Sequence, residues 1–231
     1  MITLGLDTSA VAASAALWED GRLLGENFIN VKLTHSQTIL PMVESLFSAT
    51  GKSVAEVDRF AVSTGPGSFT GLRIGISAVK GLAFGTGKEC VSVSTLQALA
   101  YNLLGQRCIA ACAMDARVGQ VYCAIFRIDG DTVERLCEDA AMSAGEFQEK
   151  LMAVDSDLPR ILVGDGAQLC YNSWKGSGVS LAPPHLRYQK AASVCMAAEK
   201  EGQVLSAEVL QPSYLRLPQA QRELLQKQQK A

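Results

Sequence analysis

The chain has 231 residues, of which 48% are hydrophobic, and this is enough apolar material for one large domain or two closely packed subdomains. Its 21 basic and 23 acidic side chains nearly cancel, so the composition argues against a wide surface that binds a polyanion. No basic segment precedes an apolar core at the N-terminus, and no later run reaches the roughly 18 apolar residues of a membrane helix. We therefore expect a cytoplasmic protein without membrane contact.

The chain opens with the pattern of a three-stranded antiparallel unit. Residues 2–6 are apolar and residues 12–18 are small and apolar, as expected of buried strands. Asp20 and Gly21 are a strong hairpin signal, and they lead into a third strand over residues 22–29. A meander of three strands follows from this order.

An amphipathic helix is predicted next. Thr34 and Gln37 have the spacing of a capping box, and Gly51 is a typical helix end. Pro41 lies inside the helix and removes a backbone donor, so we expect a kink there. The residues at helical period are Ile39, Met42, Val43, Leu46 and Phe47.

A second helix is unusually rich in glycine. Residues 59–63 predict a strand that enters the turn STGPGSFTG at residues 63–71, and a helix should then continue to about Phe84. Each glycine inside a helix costs about 1 kcal/mol relative to alanine, so several together indicate that another backbone packs very close. The small residues are Gly71, Gly75, Ala78 and Gly81, beside an apolar stripe of Leu72, Ile76, Val79 and Ala83.

The second part of the chain repeats the order of the first. After a strand at residues 90–93, Ser94 and Gln97 predict a helix that ends near Leu104. The later signals are strands at 109–114, 120–127 and 132–137 with a hairpin at Asp129-Gly130, a helix capped by Ser143 and Glu146, and a strand at 161–163.

Two βββαβα halves of an α/β fold, with a cleft between them, explain this repetition. The predicted boundaries are residues 1–104 for the N-terminal subdomain and 105–217 for the C-terminal subdomain. Residues 218–231 form a polar tail, which we expect to be a frayed helix.

Three loops could carry a ligand. The turn Asp7-Thr8-Ser9 follows a buried strand, where hydroxyls and amides could meet a phosphate and the aspartate could hold hydrated Mg²⁺. The alternative, a turn that only closes a hairpin, is favoured by the sequence. The segments GPGS at residues 65–68 and GDGA at residues 164–167 also follow strands, but neither matches a Walker or dinucleotide pattern.

The sequence predicts no metal site and no catalytic residue. His35 has no carboxylate or cysteine at helical spacing on its face, and two distant histidines, His35 and His185, offer little support for a catalytic triad. Cys108 and Cys112 are more consistent with packing than with a metal clasp, and we interpret all seven cysteines as reduced core thiols.

Several motifs in order resemble one family. LGLDTS, THSQTILPMVESLF, STGPGSFTGLRIGISAVKGLAFG, VSVSTLQALA, MDAR, GDGA and PSYLR together resemble the bacterial tRNA threonylcarbamoyladenosine biosynthesis family known as TsaB or YeaZ, over nearly the whole chain. The resemblance implies an actin-like ATPase fold of the sugar kinase/Hsp70 type, which is RNase H-like, with two related βββαβα subdomains.

The same resemblance implies a non-catalytic subunit that activates the catalytic paralogue TsaD. That paralogue forms threonylcarbamoyladenosine at adenosine 37 of tRNAs that read codons beginning with A. Its two metal-binding histidines correspond here to Thr95 and Leu99, which cannot replace an imidazole. Further implied are the ATPase subunit TsaE and tRNA as partners through the complex, a homodimer of the isolated chain, no obligatory cofactor, and ATP or ADP only in the complex.

The helices from about His35 to Ala49 and from about Phe69 to Phe84 are our candidate partner surface, since their apolar and small residues exceed what one core face needs. Glutamate at Ile76 or Val79 should then break assembly. The predicted partner-binding residues are His35, Ile39, Met42, Val43, Leu46, Leu72, Arg73, Ile76, Val79 and Lys80.

Two other functions remain as alternatives. A stand-alone ATP-dependent phosphotransferase of the same fold would use Asp7 with Asp115 or Asp165 as a second aspartate. A peptidase is the weaker alternative, because the chain lacks metal ligands and a positioned base. ATP turnover by the isolated chain would support the first, and chelator-sensitive peptide cleavage would support the second.

Overall fold

The computed structural model describes residues 1–216, and these form two sheets with helices around them. The first sheet has the order β12-β5-β4-β1-β2-β3, with β1 antiparallel to β2 and parallel to β4. Its strands are β1 (Ile2–Asp7), β2 (Ala13–Glu19), β3 (Arg22–Ile29), β4 (Arg59–Gly65), β5 (Glu89–Ser94) and β12 (Gln203–Leu205).

The second sheet repeats this arrangement, with the order β11-β10-β6-β7-β8 and a further strand, β9, paired with β7. Here β6 is antiparallel to β7 and parallel to β10, as β1 is to β2 and β4. The strands are β6 (Arg107–Asp115), β7 (Gln120–Asp129), β8 (Thr132–Arg135), β9 (Ala140–Ser143), β10 (Arg160–Val163) and β11 (Ser180–Leu181).

Helices pack on both sheets, and most of them bury an apolar face there. They are α1 (His35–Thr50), α2 (Phe69–Thr86), α3 (Thr95–Tyr101), α4 (Ala144–Met152), α5 (Ala167–Ser173), α6 (Pro184–Arg187) and α7 (Ala191–Lys200). Along β1, alternate residues Ile2, Leu4 and Leu6 share a core with α1 and α2. The opposite face of the first sheet packs on α7, and α3 lies between the two sheets because its Leu96 and Leu99 pack on β6.

Local signals in the sequence account for most element ends. Asp20 and Gly21 both have positive φ, as a tight hairpin turn requires, and Gly51 ends α1 in the left-handed region. Ser143 and Glu146 form the predicted reciprocal capping box. Thr34 begins α1 but its side chain makes no capping hydrogen bond, so the predicted capping box there is wrong.

The predicted domain boundary needs one correction. The second sheet and its helices occupy residues 107–187, but α7 then returns to pack on β1 and β2, and β12 pairs with β5. Residues 191–205 therefore belong to the first subdomain, although the sequence placed them in the second. The predicted tail at residues 218–231 lies outside the described residues. Within residues 1–216, no helix is long and apolar enough to cross a membrane.

Candidate functional site

A cavity of about 570 Å³ lies in the cleft where the two sheets meet. The carboxyl ends of β1 and β6 point towards it, so residues that follow these strands, such as Ser9 and Ala116, line its walls. Residues from the start of α2 and from the C-terminal segment complete it, among them Phe69 and Tyr214. A crevice at the carboxyl ends of strands is the usual place for a ligand in an α/β protein.

Asp7, at the end of β1, is sealed from this cavity. Its side chain is fully buried, and its carboxylate accepts hydrogen bonds from the Ser9 amide at 2.9 Å, the Ser9 hydroxyl at 2.7 Å and the Ser63 hydroxyl. Burial raises the pKa of Asp7, while these three donors act in the opposite direction. With its oxygens committed to protein donors, Asp7 is a structural residue of the turn.

Thr8 is also covered, by the glycine-rich helix. Its Oγ1 donates to the Gly71 carbonyl at 2.8 Å, and a Cβ at Gly71 would lie 2.1 Å from the Thr8 carbonyl oxygen. A Cβ at Gly75 would lie 2.4 Å from Thr8 Oγ1. The backbone that packs against these glycines thus belongs to this chain. Of the predicted turn Asp7-Thr8-Ser9, only Ser9 reaches the cavity.

In the second half two aspartates line the cleft, one exposed and one partly buried. Asp115 ends β6, is exposed, and accepts a hydrogen bond from the Arg117 amide at 2.7 Å. Asp165 follows β10, is partly buried, and accepts from Gln189 Nε2 at 2.7 Å. Desolvation by burial raises the pKa of Asp165 to about 6. Both residues line the cavity, so either could be the second aspartate of the phosphotransferase alternative, whereas its first, Asp7, does not line it.

A segment near the C-terminus also lines the cavity, and the analysis of single residues did not predict this. Tyr214 stacks on Phe69, with ring centroids 4.7 Å apart, and Arg216 Nη1 donates to the Ala116 carbonyl at 2.7 Å. In the sequence, this segment was marked only by the motif PSYLR, one of the motifs that carry the family resemblance. Its contacts join residues about 100 or more positions apart, and no local pattern encodes them.

The two positions that the resemblance equates with metal-binding histidines are core positions. Thr95 and Leu99 are 0% and 1% exposed, at the start and in the middle of α3. His35, one of the two histidines of the chain, donates from Nε2 to the Ala10 carbonyl at 2.7 Å, which connects α1 to the turn after β1. In the part of the chain described, no group of three or more His, Cys, Asp or Glu side chains is placed to hold a metal. Burial raises the pKa of Cys108 to about 11, and that of Cys112 well above its ordinary value.

The predicted partner surface requires a correction. Most of its residues are buried beneath the helices: Ile39, Met42, Val43, Leu46, Leu72, Ile76 and Val79 are each at most 8% exposed. All of these except Leu72 belong to the core that the two helices share with the first sheet. Arg73 and Lys80 donate to Tyr214 Oη and to the Glu208 carbonyl of the same chain. The predicted apolar face of the two helices is present, but it is covered by the first sheet of the same chain.

Two sheets of matching topology that enclose a cleft define this protein as a member of the actin-like ATPase fold class. Component A of (R)-2-hydroxyglutaryl-CoA dehydratase from Acidaminococcus fermentans shares the fold alone, at 10% identity and a TM-score of 0.56 over 87% of this chain and 98% of that one. The family model "TsaD: tRNA N6-adenosine threonylcarbamoyltransferase" matches residues 29–224.

Full-length relatives narrow the assignment. The chain is 33% identical to the tRNA threonylcarbamoyladenosine biosynthesis protein TsaB of Escherichia coli, over 94% of this chain and 95% of the relative. A structure from Pseudomonas aeruginosa, described as similar to the peptidase YeaZ, aligns with a TM-score of 0.77 at 30% identity, over 93% of this chain and 99% of that one. The chain belongs to the TsaB family, and both the family and the fold predicted from the sequence are confirmed.

Proposed function

We propose that this chain is a non-catalytic subunit required for threonylcarbamoyladenosine formation at adenosine 37 of tRNA, and that it acts by docking to and activating the paralogue TsaD. The observation that carries the proposal is the combination of TsaB relatives along the whole chain with a first half whose ligand loop is closed. TsaE and tRNA would then join through the complex.

The closed loop supports a non-catalytic role. A group that activates a carbonyl donor must reach the reacting atoms, and Asp7 and Thr8 are both at most 1% exposed. Thr95 and Leu99 stand at the positions of the paralogue's metal ligands, and neither side chain can coordinate as an imidazole does. The net charge of −2 also argues that the partner supplies most of the positively charged contacts with the tRNA phosphates.

The outward face of α2 is the docking surface that fits this role. Here most residues of one row are exposed, and a Cβ at Gly81 or Gly85 would meet no atom within 4 Å. An exposed apolar side chain of the same helix stands beside it, with Phe84 59% exposed. A facing helix could approach this surface closely. We call it the docking stripe, defined as Thr70, Ile74, Ser77, Gly81 and Gly85, of which Ile74 alone is partly buried against the core.

Reconstitution tests the proposal. Threonylcarbamoyl transfer to tRNA is measured with this chain, TsaD and TsaE, and with each protein omitted in turn. Gly81→Glu should abolish binding to TsaD and transfer, since it places a bulky charge on the docking stripe. Gly145→Glu is the matched control, because Gly145 is an exposed helical glycine in the other half. Full transfer without this chain, or equal activity of the two variants, would contradict the proposal.

A stand-alone phosphotransferase is the second candidate, because Asp115 and Asp165 both line the cavity; the buried Asp7, which it would also use, counts against it. A carboxyl with a pKa of about 6 suits proton transfer from a substrate hydroxyl near neutral pH. ATP turnover by the isolated chain, lost in Asp165→Asn, would favour this function.

The free chain should also form a homodimer through the docking stripe, and TsaD should compete with that dimer.

A further inference from the structure

The C-terminal segment crosses the cleft and touches both halves. After β12 the chain runs back along α2, where Lys80 Nζ donates to the Glu208 carbonyl at 3.3 Å. The Ser213 amide then donates to the Thr64 carbonyl of the first half at 2.7 Å. Three residues later, Arg216 Nη1 donates to the Ala116 carbonyl of the second half at 2.7 Å. Residues 213–216 therefore form a strap that joins the two walls of the cavity.

An aromatic and cationic cluster holds the strap on α2. The Tyr214 ring stacks on Phe69, and the Arg73 guanidinium lies 4.0 Å from the centroid of the same Phe69 ring. Arg73 Nε also donates to Tyr214 Oη at 3.0 Å. Phe69 and Arg73 are four residues apart, so they share one side of α2. Arg73 is exposed, and it borders Thr70 and Ser77 of the docking stripe.

We propose that closure of this strap and docking of a partner on the docking stripe reinforce each other through Arg73. The proposal rests on the docking function proposed above and adds its regulation. In the closed strap the guanidinium is fixed before the partner arrives, so less rotamer freedom is lost on docking. A partner that covers Arg73 also removes water from the contact with Phe69, which strengthens the cation–π interaction. Linkage requires that each event favours the other by the same factor.

Hydrogen exchange and binding measurements on Tyr214 variants test this inference. In the free chain, exchange of the Ser213 amide should rise about tenfold in Tyr214→Ala, which loses the stacking and the hydrogen bond. Tyr214→Phe keeps the ring, so its effect should be smaller, about threefold. Tyr171→Ala is the control, because Tyr171 is similarly exposed but lies on α5, away from the strap.

The partner measurements separate this inference from the proposed function. TsaD should slow exchange of the Ser213 amide in the wild type, and its affinity should fall about threefold to tenfold in Tyr214→Ala and stay unchanged in Tyr171→Ala. Wild-type binding that Tyr214→Ala leaves unchanged would overturn the coupling alone. Failure of the wild type to bind TsaD would overturn the proposed function together with the coupling. Unaltered Ser213 exchange in free Tyr214→Ala would refute the strap itself.

Discussion

Alanine at Gly71 and alanine at Gly81 should change the stability in opposite directions, although both glycines belong to α2. A Cβ at Gly71 would lie 2.1 Å from the Thr8 carbonyl oxygen, far inside the 3.4 Å at which ordinary contact begins. At Gly81 a Cβ would meet nothing within 4 Å. The helix propensity of alanine should therefore stabilise the chain by about 1 kcal/mol at Gly81. At Gly71, overpacking against backbone should outweigh that gain and destabilise by about 2 kcal/mol.

Thermal and urea unfolding of the two variants measure this difference. For a chain of this size, about 1 kcal/mol corresponds to a change in Tm of about 2–4 °C. Gly81→Ala should raise Tm by that amount, and Gly71→Ala should lower it by more. Equal stability of the two variants would refute the reasoning, because it would mean that α2 does not press on the turn at Thr8.

Two further predictions concern buried groups. Val79→Glu should lower the free energy of unfolding by more than about 3 kcal/mol, measured in urea, because Val79 is 0% exposed and the core offers no partner for a carboxylate; a variant as stable as the wild type would contradict the core assignment. Burial raises the pKa of Asp165 from 3.8 to about 6, so this group contributes stability that is fully present below pH 3.8 and lost as the pH rises through 6. Asp165→Asn should remove that pH dependence and stabilise the chain at pH 7 by about 1–3 kcal/mol, measured as unfolding free energy between pH 3.5 and 8; an unchanged pH profile would contradict it.

The sequence predicted the elements well where the signal was local. The hairpin at Asp20-Gly21 and the capping box of Ser143 and Glu146 depend on two to four adjacent residues, and both are present in the structure. The return of α7 and β12 to the first sheet depends instead on contacts such as Val204 with Val91, more than a hundred residues away. A short strand at the sheet edge has too few residues for its sequence pattern to indicate which strand it pairs with.

The candidate site shows a different limit. Helical periodicity revealed that Ile76 and Val79 share a face, but burial against a sheet and burial against a partner produce the same pattern. The glycines correctly indicated a close backbone, yet nothing in their spacing identified Thr8 as the neighbour. The substitution that tests docking therefore moves from Ile76 or Val79, which would disrupt the core, to Gly81 on the open side of the helix.

The two halves have the same topology but treat their equivalent aspartates differently. Asp7 and Asp115 are the last residues of β1 and β6, which occupy the same place in their sheets. Around Asp7, two serines donate to the carboxylate and seal it, whereas Asp115 accepts a bond from a backbone amide and stays exposed. Because α2 packs on the first loop, the carboxylate of that loop is closed off from the cavity, which the strap also lines. The carboxylates that a small molecule in the cleft would meet therefore belong to the second half. Residues of both halves line the cavity, and the strap, anchored at Thr64 of the first half and Ala116 of the second, connects them.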